Sequence, residues 1–318
     1  MVQKFWRQVP GLSLLSWDKS FRDPWIGHPG LNRLGVHPAR MMLADFFTIE
    51  RAILSGTGGH PGLIGALRRE GIGIAHNFLP PSTFQTVRDE ARHVIAQIEA
   101  GRPARPGVES GFGTKKRFDG GFDRYDGSTL NRFLDLDQAR MPHSFAAVRT
   151  SSFRRMMTAA AAVPVNPGRV QLYQTVQGRE AQAHDPQKDL HRDTFHRSVK
   201  FWLFLDEVTR EDGPFVYVPR SHRLSAARLR WEHAEARRRS HPDAREKGGA
   251  FRIAGDELAA LGYGPAKAYP VRANTLIIAD TRGFHARGPA VPGAQRLALY
   301  ANLRFYPFTP LARPAIFD

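Results

Sequence analysis

Three side chains in the second half of this chain are of types that can converge on one metal ion. His191-Arg192-Asp193 sets an imidazole and a carboxylate two positions apart, and in an extended segment residues two apart point to the same side. His285, within ADTRGFHARG, follows NTLIIAD, a short apolar run that reads as a buried strand. Two imidazoles and one carboxylate occupy one face of an octahedral ion and leave three positions open, which is what an oxygen-activating non-haem iron site needs. Arg296 stands eleven residues beyond His285 and opens the strand RLALYANLR. Its guanidinium is permanently charged and can hold a carboxylate by paired hydrogen bonds, which lysine does less well. An H-x-D pair alone is common by chance. Its placement on a strand, followed by a distal His and an Arg, gives it weight.

The composition narrows the chemistry. The chain has 318 residues and no cysteine, so disulfides, iron–sulfur clusters and thiolate zinc sites are excluded, and His and carboxylate remain as metal ligands. The absence of cysteine fits a reducing cytoplasm. No apolar run approaches the roughly 18 residues of a membrane span. The opening MVQKFWRQVPGLSLLSW is too short and too interrupted for a signal peptide. Its Phe5, Trp6, Leu12, Leu15 and Trp17 either lie on a lipid interface or pack on the rest of the chain. The expected location is the cytoplasm or the face of the inner membrane. A formal charge of +16 favours an anionic substrate or surface, although much of the excess is arginine spread along the whole sequence.

The elements that must position these residues are short strands. RVQLYQTV, SVKFWLFLDEV, PFVYVP, AYPV, NTLIIAD and RLALYANLRFYPF are rich in Val, Leu, Phe and Tyr and separated by turn residues, a pattern that predicts a double-sheet jelly roll or barrel. Gly71–Pro80 reads as a strand and turn. A helix is expected from Pro81 to Glu99, closed by Gly101, with Val87, Ala91, Val94, Ile95 and Ile98 at helical spacing. Residues 101–128 read as a Gly-, Lys- and Arg-rich loop that includes Lys115-Lys116-Arg117. Residues 1–64 read as an extension with one helix, Pro38–Leu54, ahead of a main domain over 65–318 that carries the candidate metal ligands. A basic insertion at 224–267 contains a helix expected to be a solvated cap or an anion-facing surface.

On these residues the chain resembles the phytanoyl-CoA dioxygenase family of Fe(II)/2-oxoglutarate oxygenases. GIGIAHNFLPPSTFQTVRDEA looks like the family's opening strand, turn and helix. HRDTFHRSVKFWLFLDEVTREDGPFVYVPRSHR looks like its central block, and ADTRGFHARGPAVPGAQR like its distal His and 2-oxoglutarate Arg. The resemblance spans about Gly71 to Tyr306. It implies a mainly β protein with flanking helices around a double-stranded β-helix of jelly-roll or cupin type. It also implies iron on His191, Asp193 and His285, and 2-oxoglutarate chelating the metal with its distal carboxylate on Arg296. With O2 as the other co-substrate, the co-substrate would go to succinate and CO2 while an unactivated C–H bond becomes an alcohol. The presence of Asp193 disfavours halogenation.

Second-tier candidates for binding co-substrate or substrate are Gln171 and Tyr173, on one face of a strand, Thr194 beside the ligand, and Trp202, which matches a family tryptophan. His196 is expected near the site or at the surface, and His222 in a structural turn. Arg287 departs from the small hydroxyl residue frequent two positions after the distal His, and hints at contact with an anionic substrate. The expected substrate is a small anionic or lipid-linked molecule, with hydroxylation of the lipopolysaccharide sugar acid Kdo as a concrete version. Peripheral membrane contact through residues 1–64 goes with that reading. Nucleic-acid demethylation is disfavoured because no aromatic series accompanies the basic runs, and a non-catalytic metal- or 2-oxoglutarate-binding barrel is a further alternative.

Overall fold

The computed structural model describes residues 10–103, 115–179 and 184–308. The short strands assemble into two antiparallel sheets that enclose the site. The larger has the order β1 (Ile72–Ala75), β11 (Thr275–Asp280), β7 (Ser198–Phe204), β13 (Gln295–Arg304), β5 (Gln171–Val176), β4 (Thr129–Asp135), β3 (Gly121–Asp126) and β2 (Lys115–Phe118). The smaller runs β10 (Lys267–Tyr269), β8 (Phe215–Tyr217), β12 (His285–Arg287), β6 (His191–Arg192) and β9 (Phe251–Arg252). This is the expected double-stranded β-helix with flanking helices.

Alternation divides the large sheet into two faces. One face carries Leu172, Phe201, Leu203, Leu276, Ile278 and Leu299 into the principal core. Helices α3 (Pro61–Glu70), α4 (Pro81–Gly101) and α6 (Ser151–Ala161) bury Leu67, Val94 and Met157 against it. The other face turns Tyr173, Lys200, Trp202 and Tyr300 toward the small sheet. Gly71 ends α3 at φ 82°, and a Cβ there would run into Tyr217 Oη and the His222 ring. Only glycine reconciles that left-handed conformation with so close an approach.

Several expected boundaries shift. Helix α2 spans Val36–Leu54, preceded by a short α1 at Pro29–Arg33, and α4 runs through Gly101 with Arg102 as its C-cap. The 101–128 segment is no mere loop: its described part holds the β2–β3 hairpin, and β4 extends the sheet. These strands escape a hydrophobic pattern because ion pairs do the burying. Asp123 accepts from Arg132 Nε at 2.9 Å and from Arg102 Nε at 2.8 Å.

The basic insertion is likewise not a solvated cap. Its helix α7 (Ala226–Arg239) buries Arg228, Glu232, Ala236 and Arg239 on its inner face. Among the N-terminal aromatics and leucines, Leu12–Leu15 forms a 3-10 turn whose carbonyls, with that of Trp17, are held by Arg40, Arg304 and Tyr306. Phe5 and Trp6 lie outside the described residues. Among the described residues no helix is long and apolar enough to cross a membrane.

Candidate metal centre and cleft

β6 and β12 are neighbours in the small sheet, and their register sets His191 opposite His285. Asp193 follows β6, its N–H donating to the Thr281 carbonyl at 2.9 Å. One ligand atom from each of the three residues lies within 4.8 Å of the others. Each His Nε2 is 3.7 Å from an Asp193 oxygen, Oδ1 for His191 and Oδ2 for His285.

The histidines are oriented by backbone. His191 Nδ1 bonds the Asp189 carbonyl at 2.7 Å, and His285 Nδ1 bonds the Gly283 carbonyl at 2.9 Å. A carbonyl only accepts, so Nδ1 carries the proton in both rings and each Nε2 keeps its lone pair. His285 Nε2 is buried without a hydrogen-bond partner. Burial depresses the basicity of His191 and takes His285 down to about 3, so both rings are neutral donors at neutral pH. Burial alone would raise the Asp193 carboxyl, but Lys200 above all, with His285, His191 and Lys19, holds it well below its ordinary range. Two neutral imidazole nitrogens with backbone-fixed tautomers and one ionised carboxylate are a donor set that suits Fe(II).

Arg192, between the two H-x-D ligands, points the other way and serves as their anchor. It is fully buried, bonds Glu232 of α7 at 3.0 and 2.7 Å, donates to the Gly249 carbonyl and lies 3.7 Å over the Phe251 ring. Glu232 also receives Arg228 at 3.0 Å and His37 at 3.0 Å. The insertion therefore grips the segment His191–Asp193, which carries two of the three candidate ligands. From the N-terminal segment, Lys19 donates to the Asp193 carbonyl, and burial pulls its ammonium down to about 8.

Above the three residues opens a cleft with four cations in its lining: Arg124, Lys200, Arg287 and Arg296. Three are engaged. Arg124 pairs with Asp126 at 2.8 Å and Lys200 with Asp193 Oδ2 at 2.7 Å. Arg287 bonds Asp185 and, at 2.7 Å, Asn131 Oδ1, so it is neutralised by the protein itself rather than held out for a substrate. Arg296 has no ion pair among the described residues. Burial and then the like charge of Arg287 bring it down to about 10, which still leaves it charged. A partly buried guanidinium without an ion-pair partner among the described residues, facing a cleft, can receive an anion.

The aromatic floor of the cleft is a continuous series of rings: Phe133, Tyr173, Tyr300, Trp202 and Phe215, with successive centroids 4.7, 5.1, 5.7 and 4.8 Å apart. Of the second-tier candidates, Tyr173 and Trp202 line the cleft and Gln171 and Thr194 do not. Gln171 shares the parity of Tyr173, but two strand residues span almost 7 Å. That places it at the sheet's rim, bonded to Asp135 at 2.7 Å. Thr194 is fully buried away from the lining. His196 is buried rather than at the surface and bonds the Arg197 carbonyl, while His222 bonds the Arg68 carbonyl at 3.2 Å. Lys200, Tyr300 and Arg124 were missed in the sequence. Parity with Trp202 and with Arg296 would have found the first two, whereas Arg124 lies in the segment read as a loop.

A family model described as phytanoyl-CoA dioxygenase (PhyH) matches residues 67–282, a span that includes His191 and Asp193 and stops short of His285 and Arg296. No curated protein matches. Among solved structures, AviO1 from Streptomyces viridochromogenes Tue57 is similar at 19% identity over 80% of this chain and 96% of that one, with a TM-score of 0.44. The epimerase SnoN from nogalamycin biosynthesis, in complex with Fe3+, alpha ketoglutarate and nogalamycin RO, is similar at 18% identity over 76% and 81%, TM-score 0.45. HygX from Streptomyces hygroscopicus, with nickel and 2-oxoglutarate bound, is similar at 13% identity over 76% and 84%, TM-score 0.41.

Proposed function

This chain belongs to the phytanoyl-CoA dioxygenase family of Fe(II)- and 2-oxoglutarate-dependent oxygenases, and from that premise we propose that it hydroxylates an aliphatic C–H bond of an anionic substrate. In this reading His191, Asp193 and His285 hold the iron and Arg296 receives the distal carboxylate of 2-oxoglutarate. The observation that carries it is the convergence of the three ligand atoms within 4.8 Å beneath a cleft that Arg296 also lines.

When bound, iron and 2-oxoglutarate supply the oxidation: one atom of O2 goes to succinate as CO2 leaves, and the other to the substrate C–H to give the alcohol. The protein's part is binding and exclusion. The two Nε2 lone pairs and the ionised Asp193 take the metal without a proton to displace at neutral pH. Arg296 provides paired charge-assisted donors to a carboxylate. Tyr173, Trp202, Tyr300 and Phe215 wall the cleft against water, which protects a reactive centre from side reactions. Lys200 and Arg124 are both ion-paired within the protein, so it is the net charge of +16 that favours the approach of an anionic substrate.

Anaerobic titration with Fe(II) and then 2-oxoglutarate, following the visible charge-transfer band of the chelate, tests the reading. A band in the parent, lost in His191→Ala and needing far more 2-oxoglutarate in Arg296→Ala, is expected. A folded, metal-loaded protein with no band would leave a non-catalytic barrel as the better description.

A further inference from the structure

Helix α2 is built inside out. The face it turns to the protein includes His37, Arg40, Thr48 and Arg51 beside Met41 and Ala44. The face it turns to solvent carries Met42, Phe46, Ile49 and Ile53, which are 51, 65, 55 and 72% exposed. Their spacing of four, three and four residues aligns them in one stripe along the helix, flanked by exposed Leu43 and Leu54. Soluble proteins seldom leave so continuous an apolar surface without a use for it.

Beside the stripe lies a cavity of about 430 Å³. Ile49, Ala52 and Ile53 of the same helix form one wall, and Arg68, Arg197, Arg223 and Arg282 bring four guanidiniums to it. The single carboxylate in the lining, Asp45, is bonded to Arg282. The Nε groups of Arg68, Arg197 and Arg282 are buried without a hydrogen-bond partner. Cations in excess beside an apolar stripe make the two halves of one amphiphile-binding surface: an anionic group satisfies the first and hydrocarbon the second.

We propose that α2 and this cavity seat the protein on an anionic phospholipid bilayer, with a lipid phosphate against the arginines and the stripe among the acyl chains. The helix lies in the plane of the interface, since no described helix is long and apolar enough to cross it. Charge complementarity selects the occupant. A net charge of +16 works against a second copy of this chain and favours an anionic surface.

The test is co-flotation of the full chain with phosphatidylcholine vesicles, with and without phosphatidylglycerol, for the parent, the double variant Phe46→Ser/Ile53→Ser and Arg223→Ser. These side chains are exposed, and an unchanged circular dichroism melt verifies each fold. Binding is expected only with phosphatidylglycerol, roughly tenfold or more weaker in the double variant and roughly fivefold weaker in Arg223→Ser. Equal binding to neutral vesicles, or variants that float like the parent, would overturn the proposal. So would a dimer in light scattering that Phe46→Ser/Ile53→Ser dissolves, since the stripe would then be covered by a second copy. Calorimetric titration with inorganic phosphate separates a soluble-anion site: tight binding of phosphate by a protein that ignores vesicles would also refute a bilayer seat.

Discussion

His191 and His285 face each other across the antiparallel β6–β12 pair with ring centroids 4.5 Å apart, and each ring is held by the carbonyl two residues before it. The two imidazoles are thus oriented by the same local device repeated on two strands, and the sheet register brings them together. Because that device is backbone, side-chain substitution around the rings leaves the tautomers intact. Losses on mutation therefore report the ligands and their charged neighbours.

Lys200 competes with a metal ion for Asp193, to which it is bonded at 2.7 Å. Lys200→Met is expected to raise affinity for Mn(II), a redox-quiet probe of the site, by about tenfold, since an ammonium next to a cation is repelled. The same change should weaken binding of 2-oxoglutarate or an anionic substrate. Equilibrium dialysis of Mn(II) in parent and variant measures the first effect, and a fall in affinity would show that Lys200 supports the metal instead.

Arg296 is the lining cation of the cleft without an ion-pair partner among the described residues. Arg296→Ala should raise the 2-oxoglutarate concentration needed for half-saturation by roughly 100-fold, the scale of losing a charge-assisted pair, while Mn(II) affinity changes little. Arg296→Lys should recover only part of it, because an ammonium lacks the planar fork. Full recovery with lysine would mean that charge alone, not paired geometry, holds the co-substrate.

Glu232 neutralises Arg192 and Arg228 and is hydrogen-bonded to the uncharged His37 in a buried cluster. Glu232→Gln leaves two guanidiniums undercompensated and should cost about 3–5 kcal/mol in urea unfolding. It should also weaken Mn(II) binding, because Arg192 lies between His191 and Asp193 and anchors the segment that carries both. A stability loss with unchanged metal affinity would confine the cluster to a structural role.

Burial, ahead of any partner, takes His37 and His222 down to about 4 from an ordinary 6.5. Between those values the unfolded chain takes up protons that the folded chain refuses, so stability falls as pH drops through this window and is fully present above it. Each ring accounts for about 2 kcal/mol by roughly pH 5. His222→Gln, which keeps a donor for the Arg68 carbonyl, should flatten the fall in urea midpoint between about pH 7 and pH 5. Parallel curves for parent and variant would remove His222 from the account.

The sequence by itself determined the fold class, the longer strands of the second half and the residues of the candidate centre, but not the short strands Phe251–Arg252 and His285–Arg287. His-x-Asp needs only the two-residue alternation of a strand to bring its two side chains to one side, and NTLIIAD announces its strand by an unbroken apolar run. Local pattern and local chemistry coincide there. Tertiary structure decided the rest. The strand Gly121–Asp126 is charged and shows no hydrophobic period, because Arg102 and Arg132 neutralise Asp123 from distant positions. Arg192 and Glu232, forty residues apart in the chain, look like surface charges until the fold buries them against each other. In the sequence both arginines are candidate anion contacts, Arg296 for the co-substrate carboxylate and Arg287 for a substrate. Only the packing of Asp185 and Asn131 against one of them leaves the other to receive an anion, because charge compensation depends on which groups meet in space.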